Sequence, residues 1–424
     1  MNQVNQSRLK RKIIFVTHLF YPACGGVEAH ITRLSKALAV KGYKVKVLTT
    51  NAYSTEAFFL NDKRRVEKKV EVIDGVDVER LGFRVFGRSV LNLLRSLACR
   101  IKYPLNNWVR LYSFGPRNSL LLKKILQFKP DLIFAAPLPT LNVYYAWKAA
   151  KKLRVPLIIN PAYHIPDPCS YSNSIYFRIM REAQLVAVHS EREKEHIAQV
   201  GKINPQKIFV FPPLPFKKQD FLPRRAAQLS KEEDKKKYGI KEKYVLLFLG
   251  QHGRHKNIAE IMKAMGPVWR HVPDTALVVA GGTTAYTPHL KKTASEYNQS
   301  SSQKIYFIDD FTPKEKENIY NMADIFISLS DFESFGIVFV EAMLHKIPVI
   351  ASLFSIASTI VDDLQTGLLV NPYCDVEVSG AALELLLDGE IRTAYGENGR
   401  KKVFKEYHPE KILNKWEKTL ERLA

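Results

Sequence analysis

Two glutamates separated by seven residues, Glu333 and Glu341, carry the chemistry that the sequence indicates most directly. The apolar run at 325–329 is typical of a buried strand, and from Gly336 or Ile337 onward the apolar spacing is helical. Both carboxylates therefore belong to a strand-to-helix turn. Carboxylates accept hydrogen bonds from sugar hydroxyls, and the first helical amides favour a phosphate, so a sugar nucleotide would suit this turn. The alternative is that Glu333 caps the helix and Glu341 is a solvated first-turn acid.

The residues around this turn resemble the donor-site signature of the retaining glycosyltransferases of family 4, which have the GT-B fold. The run S-D-F-E-S-F-G-I-V-F-V-E-A-M and its continuation L-H-K-I-P-V-I-A carry the resemblance. It implies that Glu341 holds the ribose hydroxyls of a nucleotide-sugar donor and that Glu333 holds hydroxyls of the transferred sugar. It also implies that amides around Phe335, Gly336 and Ile337 meet the sugar and the diphosphate.

A basic segment at 250–257 follows another apolar strand. Members of the family usually carry an arginine just after the first glycine of this segment and a lysine five residues later, and both neutralise the departing diphosphate. Lys256 matches that lysine, so the resemblance implies a catalytic role for it. Gln251 stands in place of the arginine, and we expect Arg254 to substitute for it. A plain basic surface loop is the alternative.

Two further segments of the second half complete the donor site that the resemblance implies. Gly281 ends a strand and is expected to line the donor crevice. The base is expected near 307–310, where Asp309 stands in place of a usual glycine. Because Lys256 and helix amides can replace a metal, we expect no metal and no cofactor other than the nucleotide sugar, which is a substrate.

In the first half, Gly25 and Gly26 lie between the first strand and the first long helix. Glycines let a backbone approach a ligand closely and turn amides toward phosphate, although a plain turn has the same composition. The resemblance implies that this loop faces the donor diphosphate. It also implies that His164 faces the reacting sugar, whereas a lone histidine is more often structural. Weaker candidates for contacting the acceptor are Tyr21, Tyr163 and Asp167.

Strand and helix signals alternate along both halves, which predicts parallel sheets covered on both faces, with ligands beyond the carboxyl ends of the strands. The predicted strands are 13–17, 45–49, 131–135, 157–160, 244–249, 276–280, 304–308, 325–329 and 349–351. The fold class expected is therefore α/β. The resemblance specifies it as GT-B, two doubly wound, Rossmann-like domains facing across a cleft. The expected divisions are an acceptor-binding domain at 1–211, a nucleotide-sugar-binding domain at 212–400, and a C-terminal helix at 401–424 that crosses back to the first domain.

The charge is unevenly distributed. The chain has 64 Lys and Arg against 42 Asp and Glu, a net charge of +22, and the window 80–130 has eleven basic residues and no acidic one. Apolar residues in that window recur at helical spacing, so residues 84–124 are expected to contact an anionic membrane surface. An internal helix with a solvated basic face is the alternative. Since no nucleic-acid-binding module accompanies the charge, we expect no nucleic-acid partner.

The remaining composition is that of an ordinary protein of two domains, with 46% apolar residues in a chain of 424. No apolar run is long enough to cross a bilayer, and the four cysteines form no C-x-x-C pair. These features predict a cytoplasmic protein that is peripheral at the inner face of the membrane.

Together these patterns predict a retaining glycosyltransferase that moves a sugar from a UDP or GDP donor to a lipid-linked or membrane-proximal glycan. Three alternatives remain open. A non-catalytic nucleotide-sugar-binding subunit of a glycosylation complex would share the donor site, as would a sugar-phosphate synthase or phosphorylase of the same fold. A nucleic-acid-binding protein would account only for the charge.

Overall fold

The computed structural model describes residues 10–23, 25–59, 64–83, 93, 96–97, 104–214, 230–299, 304–309, 311–333 and 335–423. The chain forms two compact units. The first comprises Met1–Lys217 together with Pro409–Ala424, and the second comprises Lys218–His408. The units therefore divide a few residues beyond the expected positions 211 and 400.

The first unit is built on an eight-stranded sheet. Its strands are β1 (Lys10–Val16), β2 (Tyr43–Thr50), β3 (Val70–Ile73), β4 (Val76–Leu81), β5 (Leu132–Ala135), β6 (Leu157–Ile159), β7 (Leu185–Val188) and β8 (Ile208–Val210). Their order across the sheet is β3-β4-β2-β1-β5-β6-β7-β8. Neighbours are parallel, except that β3 and β4 form an antiparallel hairpin at one edge.

Helices cover both faces of this sheet. They are α1 (Gly26–Val40), α2 (Glu56–Phe59), α3 (Pro104–Ser113), α4 (Ser119–Phe128), α5 (Leu141–Leu153), α6 (Pro168–Tyr171), α7 (Ser174–Glu182) and α8 (Glu191–Gly201). Successive strand residues point to opposite faces. Ile14 and Val16 of β1 accordingly enter one core cluster, and Ile13 and Phe15 enter another.

The second unit has a six-stranded, wholly parallel sheet in its described residues. The strands are β9 (Tyr244–Leu249), β10 (Thr275–Gly281), β11 (Ile305–Asp309), β12 (Ile325–Ser328), β13 (Val349–Ser352) and β14 (Gly367–Val370), in the order β11-β10-β9-β12-β13-β14. The helices are α9 (Lys231–Lys237), α10 (Ile258–His271), α11 (Thr287–Gln299), α12 (Pro313–Asn321), α13 (Ile337–Leu344), α14 (Asp375–Leu387) and α15 (Gly389–Glu406).

Helix starts in the second unit follow local chemistry. In α12, Thr312 accepts from the amide of Glu315, and the Glu315 side chain accepts from the amide of Thr312. This reciprocal capping box satisfies two amides that a helix start leaves unpaired. It fixes the position at which α12 begins, and so the face on which Lys316 and Tyr320 lie.

The last helix, α16 (Pro409–Arg422), packs on the first unit. Trp416 is almost fully buried and stacks on Phe211, with ring centroids 3.8 Å apart. Ile412 and Leu420 enter the same core cluster, which contains residues of β1, β2 and β5. The apolar stripe of this helix is therefore the face that it buries.

The segment expected at a membrane surface lies partly outside the described residues, which omit 84–92, 94–95 and 98–103. Its described part includes α3 and the first residues of α4. Trp108 and Tyr112, both in α3, are exposed. In the described chain, no helix is both long and apolar enough to cross a membrane.

Candidate functional site

The turn that carries the two glutamates connects β12 to α13. Gly336 is the N-cap of α13 and has a φ of 83°, a left-handed conformation that favours glycine. A Cβ at this position would also lie 2.5 Å from the Phe339 ring. Among the described residues, no side-chain hydrogen bond caps the helix, and its N-cap is Gly336 and not Glu333. The first amides of α13 have no partner within the helix, and such amides attract anions.

Glu341 is buried in α13, only 7% exposed, so it is not a solvated acid. Its Oε2 accepts hydrogen bonds from Lys316 Nζ at 2.6 Å and from the Tyr320 hydroxyl at 3.0 Å. Burial, followed by the negative charge of Glu341, raises the pKa of Tyr320 well above its usual value, so Tyr320 remains a donor. Lys316 and Tyr320 were not predicted from the sequence. The sequence signal was their spacing: Lys316 and Tyr320 are four residues apart in a helix whose start the capping box marks, so both lie on one helix face.

Glu333 and Lys256 form an ion pair in which both side chains are largely buried. Hydrogen bonds also hold the loop of Lys256 against the loop of Glu333, among them one from Asn257 Nδ2 to Asp331 Oδ1 at 2.7 Å. Asn257 Nδ2 donates to the Leu329 carbonyl at 2.9 Å, and the Asp331 amide donates to the His255 carbonyl at 2.9 Å. The structure thus joins two residues that the sequence analysis assigned separately, one to the diphosphate and one to the sugar.

Two further residues of this loop, Gln251 and Arg254, lie at its exposed side. Arg254 starts a short 3₁₀ turn, Arg254–Lys256. The Arg254 guanidinium lies 5.0 Å from the centroid of the Tyr286 ring. A guanidinium so placed is stabilised by the ring quadrupole. Whether Arg254 takes over the role of the arginine that Gln251 replaces stays a prediction.

Gly281 lets the ends of β9 and β10 approach closely. Its φ is 150°, and a Cβ would lie 1.7 Å from the Gly250 carbonyl oxygen. Beyond this contact, the His252 amide donates to the Gly282 carbonyl at 3.0 Å, and the Thr284 hydroxyl donates to the His252 carbonyl at 2.6 Å. The two loops at the carboxyl ends of the strands are therefore fixed to each other.

Asp309 ends β11 beside these loops. Its Oδ2 accepts from Lys291 Nζ at 2.5 Å, and its Oδ1 lies 4.0 Å from His252 Nδ1. His252 is fully buried. The neighbouring Asp310 lies outside the described residues, so the expected base position at 307–310 is only partly described.

In the first unit, Gly25 is the N-cap of α1 and Gly26 its first residue. Gly25 has extended backbone, and a Cβ would lie 2.1 Å from Glu28 Oε2. A larger residue at this position would therefore have to displace the Glu28 carboxylate. Glu28 Oε1 in turn lies 3.6 Å from His18 Nε2, and both side chains are buried. Burial lowers the pKa of His18 to about 3 and raises the pKa of Glu28.

A cavity of about 310 Å³ opens beside this pair. Its polar lining includes His18, Glu28, Thr140, His164, Asp167 and Ser170, and its apolar lining includes Phe58, Phe114 and Tyr171. The His164 ring stacks on Tyr171, with centroids 5.1 Å apart and planes at 5°. Asp167 caps α6 by accepting from the Ser170 amide at 3.0 Å. The structure therefore places His164 and Asp167 at one cavity.

The two tyrosines proposed as acceptor contacts lie elsewhere. Tyr163 is buried in the core, and its amide donates to Glu193 at 2.8 Å. Tyr21 is half exposed, with Lys36 Nζ 5.3 Å from its ring centroid. Neither belongs to the cavity lining. His18 and Glu28 do, and the sequence analysis missed both as site residues. A histidine two residues after β1 and an acid two residues after the glycine pair were the available signals.

Residues of the described chain form no group of three or more His, Cys, Asp or Glu that could hold a metal ion.

Two family models match the chain. One, described as Glycosyl transferases group 1, matches residues 230–402, and the other, Glycosyltransferase Family 4, matches residues 24–214. Among solved structures, the crystal structure of Anabaena HepE in complex with UDP and glucose superposes with a TM-score of 0.73 and 17% identity. The match covers 97% of this chain and all of that one. The predicted α/β class and GT-B fold are thereby confirmed.

Curated relatives are similar over shorter stretches. N-acetyl-alpha-D-glucosaminyl L-malate synthase of Bacillus anthracis is 25% identical over 256 residues, which are 59% of this chain and 62% of the relative. Alpha-monoglucosyldiacylglycerol synthase of Streptococcus pneumoniae is 29% identical over 200 residues, 45% of this chain and 44% of the relative. The chain thus matches less than two thirds of the length of either protein.

Proposed function

Because this chain belongs to the GT4-like group 1 glycosyltransferases and has the GT-B fold, we propose that it transfers a sugar from a UDP or GDP donor to a glycan acceptor with retention of anomeric configuration. The observation that carries this proposal is the turn before α13. There the Lys256–Glu333 pair and the buried Glu341 surround the start of a helix. A cation, hydroxyl acceptors and free amides are the groups that a nucleotide sugar needs.

In this proposal Glu341 binds the ribose. Lys316 and Tyr320 both donate to its Oε2, so Oε1 is the oxygen that we assign to the ribose hydroxyls. The amides at the start of α13 bind the diphosphate, since both the unpaired N–H groups and the helix dipole favour an anion there.

Lys256 stabilises the departing diphosphate, and Glu333 binds hydroxyls of the transferred sugar. In the protein without donor the two side chains neutralise each other. On donor binding, the ammonium would interact with both the carboxylate and the diphosphate, so charge balance is kept in the complex. With this lysine and the helix amides as the positive groups, we propose catalysis without a metal.

Retention is proposed from the family resemblance. In the course proposed for that family, the leaving phosphate departs from the same face on which the acceptor attacks. The phosphate itself takes the acceptor proton. In this scheme the protein supplies positioning and charge stabilisation, which Lys256 and the α13 amides provide.

We propose further that the acceptor is lipid-linked or close to a membrane, at the inner face of the cytoplasmic membrane. The name of the pneumococcal relative, a monoglucosyldiacylglycerol synthase, supports a lipid-attached acceptor. So do the exposed aromatic residues of α3, Trp108 and Tyr112, with the Arg117 guanidinium 5.7 Å from the Tyr112 ring centroid. Aromatic and basic residues together favour an anionic membrane interface.

A second candidate function is a non-catalytic nucleotide-sugar-binding subunit of a glycosylation complex. Gln251 favours it, because a neutral residue stands where family members carry a cation for the diphosphate. Such a protein would bind the nucleotide sugar and transfer nothing.

Turnover of the Lys256→Ala variant tests the proposed function. One transition-state donor contributes about 3–4 kcal/mol, so we expect turnover to fall by at least roughly two orders of magnitude. The assay is transfer from a panel of UDP and GDP sugars to membrane-extracted and soluble glycans, with product configuration determined by NMR. The control is Lys263→Ala, which removes a surface lysine paired with Asp375 at 2.8 Å.

Near-normal turnover of Lys256→Ala would contradict the role of this lysine, and an inverted product would contradict retention. Saturable donor binding by the unaltered protein without any transfer would favour the non-catalytic subunit.

A further inference from the structure

The cavity of the first unit is lined by two acidic side chains, Glu28 and Asp167. At about 310 Å³ it lies at the small end of the range of ligand pockets, roughly 300–1,000 Å³. This volume suits a single sugar ring or a compound of similar size. All the residues that line the cavity belong to the first unit, whereas the turn that we assign to the donor belongs to the second.

The charged side chains that line this cavity are both acidic, and the buried Arg110, which donates to the Pro168 carbonyl of α6 at 3.0 Å, is not part of the lining. His18 is the most buried histidine of the cavity, and burial lowers its pKa to about 3, so it is neutral at pH 7. The described residues that line the cavity include no lysine or arginine. An anionic group that entered would be repelled by the carboxylate of Asp167, which lines the cavity.

The same lining is favourable for hydroxyl groups. Carboxylates accept hydrogen bonds from hydroxyls, and Thr140 and Ser170 add polar positions. His18 Nδ1 is buried and has no hydrogen-bond partner in the described structure. Buried polar atoms are rarely left unpaired, so this atom indicates a ligand or solvent group that completes its bonding.

Aromatic rings form the other walls. Phe58, Phe114 and Tyr171 line the cavity, and the stacked His164 and Tyr171 rings present a flat surface. The C–H faces of a sugar ring pack on such surfaces, while its hydroxyls point outward to polar groups. The lining is therefore divided between ring-packing and hydroxyl-binding groups.

From this division we propose that the cavity is the acceptor subsite for one sugar ring, or a similar cyclic polyol, that bears no phosphate or carboxylate. The proposal rests on the proposed function, because that function makes the first unit the acceptor domain. It deepens that function in one respect: when the acceptor is carried by a lipid phosphate, the neutral ring enters the cavity and the phosphate stays outside it.

Binding of matched sugar pairs to the full chain tests this proposal. Saturation-transfer NMR titrations compare glucose, galactose and mannose with their 6-phosphates. We expect at least one neutral ring to bind saturably and its 6-phosphate to bind at least tenfold more weakly. No saturable binding by any neutral ring, or tighter binding of the phosphates, would overturn the proposal.

The Asp167→Asn variant tests whether the charge of Asp167 causes the weaker binding of the 6-phosphates. Asparagine keeps the side-chain oxygen that caps α6, so the fold should be preserved while the charge is removed. We expect the discrimination against the 6-phosphates to narrow at least fivefold. The matched control is Asp77→Asn, which changes an exposed aspartate of β4 in the same unit. This control should leave the discrimination against the 6-phosphates unchanged. Equal discrimination in Asp167→Asn and the unaltered protein would refute the electrostatic cause.

Nucleotide binding separates failure of this proposal from failure of the proposed function. A UDP- or GDP-induced rise in melting temperature reports on the second unit, and the Asp167 variant should retain it. If the nucleotide shift is present and sugar discrimination is absent, only the acceptor proposal fails. If neither is observed, the proposed function fails as well.

Discussion

Each of the two glutamates at the start of α13 is paired with a lysine, and the two lysines come from different segments. Lys256 is 77 residues from Glu333 in the chain, and Lys316 is 25 residues from Glu341. A buried carboxylate without a cation or hydrogen-bond donor is costly, so these lysines offset the cost of burying the two glutamates. The resemblance to family members pointed to three of these residues. Lys316 could not be predicted, because its role depends on how α12 packs beside α13.

Replacing Lys316 should weaken nucleotide binding. We expect Lys316→Met to raise the Kd for the preferred nucleotide about tenfold, since a hydrogen bond to a charged group is worth about 1.5–3 kcal/mol and Tyr320 still holds the carboxylate. Isothermal titration calorimetry measures the change. The control is Lys346→Met, which removes a surface lysine paired with Glu397 at 2.6 Å. An unchanged Kd in Lys316→Met would show that this lysine does not position Glu341.

At the level of strands and helices, the donor crevice depends on how closely β9 and β10 approach at their carboxyl ends. Gly281 allows this approach, because its missing side chain makes room for the Gly250 carbonyl. The next residue, Gly282, has its nearest neighbour, Gln251 Cγ, 3.7 Å from the position of an added Cβ. An added methyl group would therefore clash with the backbone at Gly281 but would fit at Gly282.

Alanine at these two positions should therefore act differently. We expect Gly281→Ala to lower the free energy of unfolding of the second unit by about 1–3 kcal/mol, because the methyl group must displace backbone at an unfavourable φ. Gly282→Ala, with an ordinary contact distance, should change it by less than about 0.5 kcal/mol. Urea unfolding followed by circular dichroism measures both. Equal stability of the two variants would contradict the close approach described for β10.

Most of the strands that the sequence predicted are central and buried, although the partly buried edge strand β11 was also predicted, within one residue. β9 was predicted at its observed bounds, and β1, β2, β10 and β12 within three residues, because continuous apolar runs between turn signals are typical of central parallel strands. The β3–β4 hairpin was missed, since it is short and mixes charged with apolar residues at an edge of the sheet. β7, β8 and β14 were also missed. Their length alone does not explain this, since β5 and β6 have four and three residues and were predicted.

Like the strands, the residues of the candidate site were predicted from the sequence only in part. Local motifs identified Glu333, Glu341 and Lys256 because each motif lies at the end of a strand in a parallel sheet. His18 and Glu28 face each other only after α1 packs beside the end of β1. Such pairs depend on packing, which spacing along the chain does not encode.

For the whole molecule, the net charge of +22 and the exposed aromatic residues of α3 bear on membrane association. We expect the protein to bind vesicles containing phosphatidylglycerol and to be released as salt is raised, because exposed charges are screened. Trp108→Ala should weaken vesicle binding several-fold, while Phe404→Ala, at an exposed phenylalanine of α15, should not. Sedimentation with vesicles measures both. Equal binding by the two variants would exclude α3 from the contact.

The central claim is that the second unit binds a nucleotide sugar through Glu341. Its most direct test is thermal melting of the protein with UDP, GDP, ADP and their sugar conjugates, in parallel with Glu341→Ala. At about a hundred times Kd, a ligand adds about 2.7 kcal/mol to stability. We expect a clear rise in melting temperature with a UDP or GDP ligand and the loss of that rise in Glu341→Ala. No rise with any nucleotide, or the same rise in the variant, would contradict the claim.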